Sequence, residues 1–326
     1  MTTPLKTIVI GTSLTAASDD VVRTGVTLAR TTGASLWLAH AYHPVSTYGA
    51  EMAMDPLWIE EQRKALQELI TEQARRTGVC ALAGFSADRV QLVIGSPHRE
   101  IVELARRVHA DLVIVGATES HGMLGSTADR VIRNAPCPVL ALRSAAAFPP
   151  TRVEIPVDLS PISAHALRRG LELLKQIGFP IAETEVLFVL NPFEVGGSIN
   201  FTAEQIRRFA GEEMDRFLAA NTAPSSESER PRIQIRTGYP REEILTTLTE
   251  KGVDLAVLGT HGRGGFERLM LGSIAAGVLR GASCNLLVIP PAADQRQDTP
   301  TELQEKLVGA DWSYVSDEAP VSAGRS

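Results

Sequence analysis

This chain repeats itself, and the repeat limits its fold more than any other feature does. Gly95-Ser96-Pro97 and Gly238-Tyr239-Pro240 each open a helical pattern, 143 residues apart. Asp111-Leu112 keeps that interval to Asp254-Leu255, and Gly116 keeps it to Gly259. Past this glycine the interval grows to 147 residues, so that Gly125-Ser126 answers to Gly272-Ser273, Arg133 to Arg280 and Cys137 to Cys284. At the front, Ser13-Leu14-Thr15 matches Asp158-Leu159-Ser160 at 145. The halves therefore differ by four residues inside one loop. A duplicated unit of this size reads as a domain with its own core. The expected division is 1–145 and 151–291, followed by a polar tail, 292–326, expected to be mobile apart from one short docking helix over 301–312. The stretch from Arg143 to Thr151, with three alanines and Pro149-Pro150, is the linker.

Each half alternates short β-branched runs with helical patterns. In the first, strands are expected at Thr7 to Ile10, Ser35 to Ala41, Arg89 to Ile94, Asp111 to Val115 and Val139 to Leu142. Helical spacing covers Val21 to Arg30, then Ile59 to Arg76 with Ala65, Leu66, Leu69, Ile70 and Ala74 on one stripe, then the segment carrying Ile101, Leu104, Ala105 and Val108. In the second half the strands are Val153 to Val157, Val186 to Leu190, Ile233 to Arg236, Asp254 to Leu258 and Leu286 to Ile289. Ser160 is placed to cap a helix with Pro161 at its first position. Strand and helix in alternation imply an α/β fold: two tandem Rossmann-like, doubly wound domains, each a five-stranded parallel sheet with helices on both faces.

The stretch Leu258-Gly259-Thr260-His261-Gly262-Arg263-Gly264-Gly265 leads through Gly272-Ser273 into a helix that begins near Ile274. Strand, glycine loop and helix in that order present backbone N–H groups at a positive helix end, which suits phosphate. A flexible turn is the plain alternative. The loop lacks lysine and the Walker pattern, and no nucleophile, base and orienting group stand together. The chain carries a net charge of −6, which speaks against a general nucleic-acid binder, and no apolar run approaches a membrane span. Cys80, Cys137 and Cys284 are odd in number and far apart, and the N-terminus enters a strand without a leader pattern. Both fit reduced thiols in a cytoplasm.

Three segments together resemble the universal stress protein family: Pro156-Val157-Asp158-Leu159-Ser160 after the opening strand, the spacing Gly259, two residues, Gly262, nine residues, Gly272-Ser273, and the matched endings of the two halves. The resemblance covers about residues 4 to 291 and implies ATP, with magnesium, at the carboxyl ends of the second half's strands. It implies that Pro156, Val157 and Asp158 line adenine and ribose, with Asp158 near ribose or the metal, and that Val189 meets adenine through its backbone. Gly259, His261 and Gly262 would approach ribose and the inner phosphates, and Gly272, Ser273 and Ile274 the outer ones. Arg263 is added here as a charge that could screen phosphate. In the family, domains pair through their last strands. The implied assembly is a pairing of the halves within one chain as a pseudo-two-fold unit, with a homodimer of such units as the next level. The implied role is a nucleotide-responsive stress or regulatory module without catalytic residues. A slow ATPase or adenylate-forming enzyme, and an interaction scaffold that binds no nucleotide, stay open as alternatives.

The first half departs from this pattern. Ser13 stands where Asp158 stands, the loop is four residues shorter, and Glu119 falls where Gly262 falls when Gly116 is matched to Gly259; matching His121-Gly122 to His261-Gly262 instead leaves a less suitable distance to Gly125. This half is expected to bind ATP poorly or not at all. Elsewhere, His40 and His43 sit at a strand end without an evident third metal ligand, and Met52, Met54 and Trp58 could form a lid or local packing. Cys137 and Cys284 read as small buried residues.

Overall fold

The computed structural model describes residues 4–43, 56–117, 124–143, 149–191, 202–222, 229–260 and 271–292. Strands β1 (Thr7–Gly11), β2 (Ser35–Tyr42), β3 (Val90–Ile94), β4 (Leu112–Gly116) and β5 (Val139–Leu142) belong to the first half. Strands β6 (Val153–Val157), β7 (Thr184–Leu190), β8 (Arg232–Thr237), β9 (Leu255–Gly259) and β10 (Asn285–Ile289) belong to the second. Helices α1 (Ala16–Thr32), α2 (Pro56–Arg76), α3 (Pro97–Arg107) and α4 (Ser126–Asn134) alternate with the first set. Helices α5 (Pro161–Gln176), α6 (Ala203–Asn221), α7 (Pro240–Glu250) and α8 (Ser273–Gly281) alternate with the second. The tail beyond 292 and Met52 and Met54 lie outside the described residues.

All ten strands form one sheet in the order β3-β2-β1-β4-β5-β10-β9-β6-β7-β8. Each half is parallel within itself, and the halves meet where β5 and β10 pair antiparallel, Leu140 opposite Leu287. Both strands are buried along their whole length, as expected where helices cover both faces. Polar ties cross the same joint: the Arg143 N–H donates to Asn285 Oδ1 at 2.9 Å, and the Leu5 N–H to Gln176 Oε1 at 2.6 Å. Alternate strand residues face opposite helix layers, so the core is double. Ile8, Ile10, Leu140, Ile155 and Leu287 face one layer, while Val9, Val139, Ala256 and Val288 face the other.

Strand and helix identities agree with the sequence pattern, with two informative shifts. Helix α1 begins at Ala16, five residues before the apolar spacing, because its first turn packs polar side chains into the core. On α2 the inward stripe is Ile70, Gln73 and Ala74, all 0% exposed, whereas Ala65 is exposed and Leu69 is 51% exposed. The helix turns this way because the Gln73 amide completes a buried network. Thr12 Oγ1 donates to Gln73 Oε1 at 2.8 Å, and Gln73 Nε2 donates to Ser18 Oγ at 3.0 Å and Asp19 Oδ1 at 2.8 Å. Arg76 then holds the Asp19 carboxylate with two nitrogens, at 2.8 and 2.7 Å. Hydrogen bonding to Arg76 is the main reason that the Asp19 carboxyl lies below its ordinary range.

Candidate functional site

In each half the strand order reverses between the first and fourth strands, and open α/β sheets bind ligands at the carboxyl ends of such strands. In the second half these strands are β6 and β9. Their pairing ends early, at Val153–Leu255 and Glu154–Ala256. In the first half the equivalent ladder runs on through Ile10–Ile114 to Gly11–Val115. Pro156 accounts for the difference. The Arg152 carbonyl accepts from the N–H groups of Asp254 and Leu255, so residues 152, 154 and 156 turn their backbone groups toward β9. At 156 there is no N–H to give, which is why proline is rare inside sheets. The β6–β9 pairing therefore stops two residues short of Pro156, below Asp158 and Gly259.

The turn after the first strand is the same in both halves. Leu14 has φ 61° and Leu159 φ 63°, a left-handed conformation uncommon for leucine. This matches Ser13 to Asp158 in three dimensions. Asp158 is half-buried, and its Oδ1 accepts the Ser160 N–H at 3.0 Å, which fixes the carboxylate just past the end of β6. Ser160 is the N-cap of α5, its hydroxyl accepting the Ser163 N–H at 3.1 Å. Capping therefore falls to Ser160 and not to Asp158. Thr15, the corresponding residue in the first half, makes no side-chain cap; its hydroxyl lies 2.9 Å from that of Ser13.

The glycine loops are fastened identically at both ends. In the second half the Thr260 N–H donates to the Ile289 carbonyl at 3.2 Å, and the Gly272 N–H donates to the Thr260 carbonyl at 2.9 Å. In the first, Ala117 bonds to Leu142 at 2.8 Å and Gly125 to Ala117 at 2.9 Å. The same clasp thus closes a loop of 118–124 in one half and 261–271 in the other. His261, Gly262 and Arg263, and Glu119 in the first half, lie outside the described residues. Gly272 is the N-cap of α8 and makes no side-chain cap, so Ser273 occupies the first helical position and does not cap the helix. The first-turn N–H groups at Ser273 and Ile274 have no intrahelical acceptor, and Ile274 is 41% exposed. That end suits an anion.

Four of the sequence-derived positions lie at the same end of three neighbouring strands. Pro156 and Asp158 end β6, Gly259 ends the neighbouring β9, and half-buried Val189 lies near the end of β7 on the other side of β6. The Val157 side chain is 7% exposed and packs inward against the α5 layer, so only its backbone can face a ligand. His40 Nδ1 lies 2.8 Å from the Thr12 carbonyl and must donate to it, which commits this histidine to the backbone. Cys137 and Cys284 are buried, and burial pushes their thiols up to about 12 and about 11. Among the described residues no group of three His, Cys, Asp or Glu is placed to hold a metal, and no helix is long and apolar enough to cross a membrane.

One feature escaped the sequence reading. Glu154, on β6 two residues before Pro156, is 1% exposed, and neither carboxyl oxygen has a hydrogen-bond partner. It lies beside Glu185 of β7. Lys251 bonds Glu185 and Gln234. Arg236 bonds Glu243 at 3.2 Å and Glu250 at 2.6 Å. Aligning the halves by their register would have exposed it, because Val9 and Trp37 pair in the first half where Glu154 and Glu185 pair in the second.

Fold and site together define a tandem α/β protein, two doubly wound units in one sheet, with the ladder between first and fourth strands shorter in the second unit than in the first. A model of the universal stress protein family matches residues 4–143 and again 151–290, and the chain belongs to that family. A universal stress protein of Methanocaldococcus jannaschii is 30% identical over 141 residues, 42% of this chain and 81% of the relative. One of Mycolicibacterium smegmatis is 25% identical over 295 residues, 87% of this chain and 97% of the relative. The crystal structure of a universal stress protein from Archaeoglobus fulgidus superposes with a TM-score of 0.63 at 17% identity, covering 88% of this chain and 98% of that one.

Proposed function

We propose that the second half binds ATP with magnesium and that the chain acts as a nucleotide-responsive stress module in the cytoplasm, while the first half leaves ATP unbound. The observation that supports this reading is the β6–β9 ladder that stops before Pro156, with Asp158 held by the Ser160 N–H just past the end of β6 and a first turn of α8 that no side chain caps. Pro156, Val157 and Val189 offer backbone and apolar surface for adenine. Asp158 takes ribose or the metal. Gly259, His261, Gly262 and Arg263 follow the ribose and inner phosphates, and Gly272, Ser273 and Ile274 supply N–H groups to the outer ones. No residue here is assigned to catalysis.

Mass spectrometry of small molecules extracted from gently purified full-length protein tests this directly, followed by calorimetry with ATP and magnesium. Adenine nucleotide in the extract and one site per chain are expected. Finding none by either route would return the chain to the scaffold reading. ADP release above that of the Asp158→Ala variant would move it to the enzymatic one.

A further inference from the structure

We propose that Glu154, buried without a partner where the β6–β9 ladder ends, is linked to the second half's nucleotide site, so that nucleotide binding there takes up a proton. The inference rests on the nucleotide reading above. Glu154 is the last residue of β6 to pair with β9, two residues before Pro156. Its backbone and that of Pro156 turn toward β9, and their side chains share the α7 face of the sheet. A buried carboxylate without a hydrogen-bond donor is costly, so burial here favours the protonated form. Burial pushes the Glu154 carboxyl up to about 7; Lys251 opposes this, Glu185 adds to it, and Arg236 opposes it. The other charged groups around it are committed. Lys251 is held by Glu185 and Gln234, Arg236 by Glu243 and Glu250, and buried Cys284 stays a thiol on the β10 side.

Glu154 precedes Asp158 by four residues, a distance of about 13 Å along a strand. One net negative charge at that range, through an effective dielectric near 20, raises the proton affinity of the carboxyl about tenfold. A bound polyphosphate therefore favours protonated Glu154, and by reciprocity a protonated Glu154 favours the polyphosphate. The first half has no such link, since Val9 stands at this position.

The test is calorimetry of the full chain with ATP and magnesium at pH 7.5, in two buffers of different ionisation enthalpy. ATP's own terminal phosphate titrates in every sample, so the readout is the difference between wild type and Glu154→Gln. Wild type is expected to take up about half a proton more per nucleotide. Its affinity should fall up to about tenfold, relative to the variant, between pH 6.5 and 8.5. If Glu154→Gln does not fold, Glu154→Val, which copies the first half, replaces it. ATP binding with equal proton uptake in wild type and variant overturns the inference and leaves the nucleotide reading standing. Absence of ATP binding in wild type overturns both.

Discussion

The two halves share a backbone plan and place their buried carboxyl groups, Asp19 and Glu154, in opposite layers. Under β1, on the face covered by α1 and α2, the first half buries Thr12, Ser18, Asp19 and Gln73, each hydrogen-bonded to another. The second half has Val157 and Ala164 where Thr12 and Asp19 stand, and keeps on that face only uncharged hydroxyls, Ser160, Ser163 and Thr184, among its buried polar groups. On the other face the first half is apolar, with Val9, Trp37 and Val108, while the second carries Glu154, Glu185 and Lys251. A fully bonded network rigidifies the end of β1. A partly satisfied one below β6 leaves a group that responds to charge. One scaffold thus supports a longer ladder beside its first strand and a shorter one, and the difference comes from a handful of side chains.

The largest effect expected from breaking this contrast is on stability. The folded carboxyl of Glu154 lies near 7, above its unfolded value of 4.5, so the native state holds the extra proton between those values. Its contribution is complete below pH 4.5 and is lost as pH rises through 7, by up to about 3 kcal/mol. Urea denaturation of Glu154→Val should remove that decline and leave the variant about 3 kcal/mol more stable at pH 8. Next, Gly262→Glu gives the second loop the first loop's carboxylate and should weaken ATP about 100-fold by calorimetry, roughly 2.7 kcal/mol. Then Gln73→Leu takes one hydrogen bond each from Thr12 and Asp19, which keep Ser18 and Arg76 as partners, and should cost about 2 kcal/mol. Asp19 is the mirror case of Glu154. Its folded carboxyl is depressed, so its contribution is present above the unfolded value of 3.8 and lost as pH falls through the folded one. Acid unfolding followed by a probe in each half should therefore loosen the first half in acid, and Gln73→Leu should move that transition upward in pH. Smallest, Asp158→Ala should weaken ATP about tenfold, about 1.4 kcal/mol, while Ser13→Ala changes nothing measurable.

Much of this was legible because the sequence contains its own comparison. Matching Gly95 to Gly238 and Gly125 to Gly272 found the strands, the helices and the four-residue loop difference, and the identical clasps at Thr260 and Ala117 bear it out. Apolar spacing was silent about polar residues turned inward, and so it misjudged α2 at Gln73 and missed the front turn of α1. It missed Glu154 for the same reason: one acidic letter between Val153 and Ile155 reads as an outward position only if the strand has an outward face, and β6 has none. Pro156 was visible as a letter, but its meaning depends on which neighbour residue 156 turns toward, and that is a property of the assembled sheet.

The antiparallel seam between β5 and β10 has a further consequence. Two separate chains pairing through such a seam would be in a concentration-dependent equilibrium, and every change in the gene would fall on both copies at once. Joined by one linker, the partners never dilute apart, since each sees the other at a fixed high local concentration. Each seat can then change alone, so one can lose its guest while still holding its neighbour in register.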